Sequence, residues 1–166
     1  MSDPSAHAAD DGDLRWLEAA VDLAAQNVRA GGGPFGAIVV RNGRRVSSGQ
    51  NRVTRDNDPT AHAEVEAIRA AGRALGTFDL SGTVLYSSCE PCPLCISAAL
   101  WGRVERVVFA ANKHDAAAAG FDDSAFYELL ATDRASWSMP RVEERRTADA
   151  AEPFLLWARD EGRIRY

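Results

Sequence analysis

Residues 83–111 read TVLYSSCEPCPLCISAALWGRVERVVFAA, and this stretch decides the fold. Residues 83–88 form a short apolar run of strand length. Residues 93–101 then carry a helical segment that opens on Pro93 and stops at Gly102. Residues 104–111 return to a mostly apolar run that reads as a second strand. Strand, helix and strand in that order predict a right-handed crossover and a sheet with parallel pairing.

Upstream, two strand-like runs, residues 35–41 and 44–49, flank Asn42-Gly43, the strongest short hairpin signal. Asp13 can cap a helix with Leu14, Leu17, Val21, Ala24 and Val28 at the 3.6-residue period, ending at Gly31-Gly32-Gly33-Pro34. Residues 50–58 are polar and without period, a loop. Pro59 and Thr60 then lead into a helix with Val65, Ile68 and Leu75 on one side. Downstream, residues 112–123 read as a loop and 124–130 as a short helix. Residues 141–145 form a candidate edge strand, and Pro153 suits the first turn of a last helix reaching about Arg159. The expected architecture is α/β, one domain over residues 14–166 behind a disordered acidic tail over residues 1–13.

The composition is that of an ordinary globule. A chain of 166 residues can bury roughly 70% of the surface that its unfolded form exposes. With 46% apolar and 26% charged residues, wholesale disorder is out. No apolar run approaches the roughly 18 residues that span a bilayer, so a membrane partner is not expected. Nineteen Lys and Arg against 24 Asp and Glu give a net charge of −5, which disfavours nucleic acid as a partner. The first residues lack the basic and apolar regions of a secretory signal, so a cytoplasmic protein is expected. The three cysteines, Cys89, Cys92 and Cys95, are clustered and odd in number, which suits a metal better than disulfides.

Cys92 and Cys95, at i and i+3, lie about 300° apart on an ideal helix, so both sulfurs share one face. His62 and Glu64, at i and i+2, lie about 200° apart and could address one ion only if it sat beyond the first helical turn. Pro59 and Pro91 place both motifs near helix starts, whose positive ends favour thiolates. Two thiolates and an imidazole suit Zn²⁺ and leave a fourth position for water, the catalytic pattern. Glu64 could then carry the proton of that water. The competing reading is a closed, structural Cys3His site, because Cys89-x-x-Cys92 is also a C-x-x-C.

The H-x-E and P-C-x-x-C elements resemble those of the zinc-dependent cytidine deaminase superfamily, for which they are the known signature. Four further stretches resemble the small bacterial guanine deaminases: Gly33-Pro34-Phe35-Gly36-Ala37, Asn57 through Glu64, Ser88-Cys89-Glu90-Pro91-Cys92-Pro93, and Ala119-Gly120-Phe121-Asp122-Asp123. The resemblance spans residues 14–166. It implies a three-layer α/β/α fold with a mixed sheet of about five strands, and homodimers that exchange the C-terminal segment. It also implies Zn²⁺ on His62, Cys92 and Cys95, with Glu64 as proton shuttle and Asp123 as a second catalytic carboxylate. Phe35 would stack on the base, Asn51 would hydrogen-bond it, Trp101 would wall the pocket, and Tyr166 matches the family's terminal Tyr.

Each of these side chains also has a plain structural reading. Phe35 and Trp101 could pack in the core, Asn51 could form a turn, and Asp123 could favour the next helix start. The expected reaction is hydrolysis of a small-molecule nucleobase, guanine to xanthine and ammonia. Guanosine, cytosine or another aminoheterocycle is the alternative, since the amine chemistry is shared. A tRNA adenosine deaminase is disfavoured by the charge.

Overall fold

Asn42 and Gly43 turn the chain with positive φ angles of 52° and 68°, joining β1 (Gly36–Arg41) to β2 (Arg44–Gln50). This hairpin pairs antiparallel, with a register shift at Val39/Val40. β1 pairs antiparallel on its other side with β3 (Thr83–Cys89), and β3 pairs parallel with β4 (Arg106–Ala111). The order is β2-β1-β3-β4. The sheet is mixed, and its parallel pair is the one that the crossover at 83–111 predicts. It has four strands, not about five, among the residues 4–166 that this computed structural model describes. Residues 141–145 are irregular; Val142 is their one apolar position and is itself exposed, so no face is available to bury against a sheet.

Helices cover both faces. On one lies α1 (Pro4–Arg29), whose Ala20 packs with Ile38, Val40 and Tyr86. On the other lie α3 (Ala63–Leu75), which follows the short α2 (Val53–Asp56), and α4 (Pro93–Trp101). Their Ala63, Ala67, Ala71 and Ala99 pack with Ala37, Val39 and Leu85. Small residues let the layers approach closely. A Cβ on Gly36 would stand 2.5 Å from the carbonyl oxygen of Ala20, and one on Gly49 would strike the Ala63 carbonyl oxygen. The helix backbones therefore rest almost directly on the sheet.

Three sequence expectations change here. α1 begins at Pro4, so most of the expected disordered tail is helical, consistent with its alanine content and its leading Pro4; residues 1–3 lie outside the described residues. Asp13 is not a cap. Its carboxylate accepts hydrogen bonds from the Tyr86 hydroxyl, at 2.6 Å, and from Arg106. The buried stripe of α1 is Ala20, Ala24 and Asn27, while Leu14, Val21 and Val28 are exposed, because only small side chains fit where the backbone meets Gly36.

Residues 112–123 hold a helix, α5 (Lys113–Ala118), fixed by a capping box in which Asn112 accepts from the backbones of His114 and Asp115 and Asp115 reaches back to Asn112. By contact density the chain forms two compact units where the sequence suggests one domain: one ends at Asp123 and the other is Ser124–Tyr166. The second contains α6 (Ser124–Leu130) and α7 (Glu152–Arg159), as the sequence predicts, and neither buries a residue. No described helix is long and apolar enough to cross a membrane.

Candidate active site

β3 ends at Cys89, and the chain passes Glu90 and Pro91 before α4. Cys92 is the N-cap of α4, extended at φ −66° and ψ 170°, with Pro93 next. His62 is likewise the extended N-cap of α3, at φ −69° and ψ 153°. This resolves the angular problem of i and i+2: His62 stands outside the helix and Glu64 inside it, so both can face one point ahead of the first turn.

His62 Nδ1 lies 3.5 Å from the Sγ of Cys92 and 3.5 Å from that of Cys95, and the two sulfurs are 3.6 Å apart. A tetrahedral ion with Zn–S of about 2.3 Å and Zn–N of about 2.0–2.1 Å has ligand-to-ligand edges of roughly 3.5–3.8 Å. The donor set therefore fits zinc in both type and spacing. The described residues contain no other such cluster, and Cys89 stands outside it, its thiol directed at the Asn112 carbonyl oxygen at 3.7 Å. Three potential donors, not four, converge.

The electrostatics match a crowded ligand set. Hydrogen bonds from the Cys95 thiol and from His62 draw the Cys92 thiol down to about 4. That negative neighbour, and then burial, push Cys95 up. The Cys92 hydrogen bond raises His62.

Glu64 is buried at 4% exposure, and its Oε1 accepts a hydrogen bond from Ser87 Oγ at 3.1 Å. Burial, partly offset by hydrogen bonds with Cys95 and Ser87, lifts its carboxyl above the ordinary value. Asp123 is raised by burial and by the charge of Cys92, which puts a second carboxylate within electrostatic reach of the cluster.

The other predicted residues are placed as follows. Phe35 meets Phe121 edge-on, with ring centroids 5.0 Å apart, and is partly buried against the α3 face. Asn51 follows β2; its N–H donates to the Phe35 carbonyl at 3.1 Å, and its Oδ1 accepts from Val53 N at 3.3 Å. The next residue, Arg52, donates its N–H to Ala61 O, which ties this segment beside His62. Trp101 is 69% exposed at the far end of α4 from Cys92. Tyr166 belongs to the second unit, where it pairs with Trp157.

Two contributors escape sequence reading. Ser87 carried a usable signal, a polar residue in the inward phase of a buried strand between Leu85 and Cys89. Asn27, in the middle of a helix pattern, carried none.

Three comparisons agree with this geometry. The family model for the cytidine and deoxycytidylate deaminase zinc-binding region matches residues 11–111. Guanine deaminase of Bacillus subtilis is 47% identical over 143 residues, covering 86% of this chain and 91% of that protein. Its X-ray structure superposes with a TM-score of 0.89 at 44% identity, covering 92% of this chain and 98% of that one. The tRNA-specific adenosine deaminase of Aquifex aeolicus is 37% identical over 131 residues, covering 78% of this chain and 85% of that protein. With its signature residues gathered at the starts of two helices, the chain belongs to the cytidine and deoxycytidylate deaminase family.

Proposed function

We propose that this chain is a zinc-dependent guanine deaminase, hydrolysing guanine to xanthine and ammonia. The observation that carries the reading is the trio of His62, Cys92 and Cys95 at zinc-ligand spacing, with buried Glu64 beside it rather than in it. The choice of guanine follows the Bacillus subtilis relative.

A zinc ion held there supplies the Lewis acidity that makes water nucleophilic near neutral pH. Glu64 takes a proton from the attacking water as the oxygen bonds to C2 of the purine. It returns protons as the C2–N bond breaks, so that one water hydrogen ends on ring N3 and the other leaves with ammonia. Burial, which raises the proton affinity of Glu64, suits it to hold that proton between the two steps. Ser87 fixes one oxygen of the carboxylate, and Asp123 assists proton movement at the ring.

In this reading Phe35 stacks on the base and Asn51 hydrogen-bonds it, while Trp101, exposed at the far end of α4, does not join them. The active form is a homodimer that exchanges its C-terminal segments, which would cover the exposed Phe154, Leu155 and Leu156 of α7. Three unpaired cysteines suit a reducing, cytoplasmic setting. The likeness to tRNA-specific adenosine deaminases makes tRNA the competing substrate, and the net charge of −5 opposes it.

Ammonia release from guanine, guanosine, adenine, cytosine, cytidine and a tRNA anticodon stem-loop tests the assignment. Guanine should be preferred by at least about 10²-fold in kcat/KM. Preference for any other member overturns guanine as the substrate.

A further inference from the structure

We infer that Asn27 is a positioning residue for recognition of the base, acting through Asn51; this rests on the reading of Asn51 as a base contact. Asn27 is 1% exposed and lies on the stripe of α1 that packs against the sheet, alongside Ala20 and Ala24. An asparagine inside a helix is unfavourable, and a buried amide left unpaired is costly. Its position therefore calls for partners outside its own helix.

It has three. Asn27 Nδ2 donates to Gly33 O at 2.8 Å and to Asn51 O at 2.7 Å, and Oδ1 accepts from Arg55 at 3.4 Å. One side chain thus clasps the turn before β1, the residue after β2, and α2. The glycines of the turn are shaped to this clasp. A Cβ on Gly32 would lie 2.5 Å from Asn27 Nδ2, and one on Gly33 would lie 2.9 Å from Asn51 Oδ1.

The clasp sets how Asn51 meets a ligand. Its backbone is pinned on both sides, by Asn27 at its carbonyl and by Phe35 O at its N–H. Its Oδ1 is engaged by Val53 N, so the amide presents Nδ2, a hydrogen-bond donor. A donor there suits a base that presents a ring carbonyl or bare ring nitrogen at that point. Asn27 hydrogen-bonds neither Glu64 nor the residues proposed to hold the metal, so its loss should weaken binding and leave the chemical step intact.

The test uses Asn27→Asp, which keeps the shape and removes the donor, and Asn27→Ser, which is too short to bridge both carbonyls. For each, kcat and KM on guanine and the zinc content are measured, alone and combined with Asn51→Ala. Expected are a rise in KM of about 10-fold or more with kcat within about threefold and zinc unchanged, and no further rise in the Asn51→Ala background. An unchanged KM, effects that simply add across the two backgrounds, or loss of zinc or folding in both variants would make Asn27 a packing residue and overturn the inference. A wild-type protein inactive on guanine overturns the proposed function instead, and the Asn27 series is then read on the base that it does convert.

Discussion

Leu85 and Leu156 are the same side chain in opposite circumstances. Leu85 is fully buried between the sheet and α3, whereas Leu156 on α7 is 58% exposed. The contrast extends to the units that hold them. The unit ending at Asp123 stacks two helix layers on a sheet through alanines and glycines. Ser124–Tyr166 has apolar side chains but no sheet, and its two α-helices bury none of their residues. Apolar content does not by itself make a core; a second layer to receive it does. Eight of the nine candidate site residues, His62, Glu64, Cys92, Cys95 and Asp123 among them, lie in the layered unit, and Tyr166 alone lies in the other.

The largest effect that separates the two regions concerns the metal. Cys92→Ser should lose zinc and reduce turnover to background, while Cys89→Ser, three residues away, should keep both; metal analysis with a turnover assay decides it. Zinc loss from Cys89→Ser would restore the closed four-ligand site. Asp123, the last residue of the layered unit, comes next. Asp123→Asn should lower turnover on guanine by at least about 10²-fold with zinc retained, since the amide cannot accept a proton. Near-normal turnover would leave Asp123 as a helix-start residue only.

In stability, chemical denaturation of Leu85→Ala should show a loss of about 2–5 kcal/mol, and of Leu156→Ala under about 0.5 kcal/mol. A Leu156→Ala cost that grows with protein concentration would show that a second copy covers α7.

The smallest effect is a pH dependence in the layered unit. Burial and the hydrogen bond to Asp13 hold the Tyr86 phenol up at about 12, against an ordinary 10.0. The fold favours the neutral phenol, so its contribution is complete below pH 10 and is lost as pH rises toward 12. Denaturation midpoints measured across that window should fall for the wild type and fall less steeply for Tyr86→Phe.

What could be read from the sequence follows the same division. Asn42-Gly43, the crossover at 83–111 and the P-C-x-x-C element are local signals, and each produced its element where expected. The bounds of α6 and α7 were also legible, from Ser124 and Pro153. The fifth strand was not there because residues 141–145 offer a single apolar side chain. α5 was missed although Asn112 and Asp115 spell its capping box. Asn27 was invisible for a different reason: its role is a contact with Asn51, 24 residues away in sequence, whereas Ser87, which meets Glu64 23 residues away, does show as a polar residue in the inward phase of a buried strand. Helical spacing alone did not explain how His62 and Glu64 could share a target; the extended N-cap of α3 does.

The account stands most directly on Glu64 being beside the metal and not on it. Zinc content and guanine turnover of Glu64→Ala, measured on one preparation, test this. The expected result is about one zinc per chain, as in the wild type, with turnover reduced roughly 10²- to 10⁴-fold. Loss of zinc together with activity would make Glu64 a ligand and contradict the roles assigned to this site.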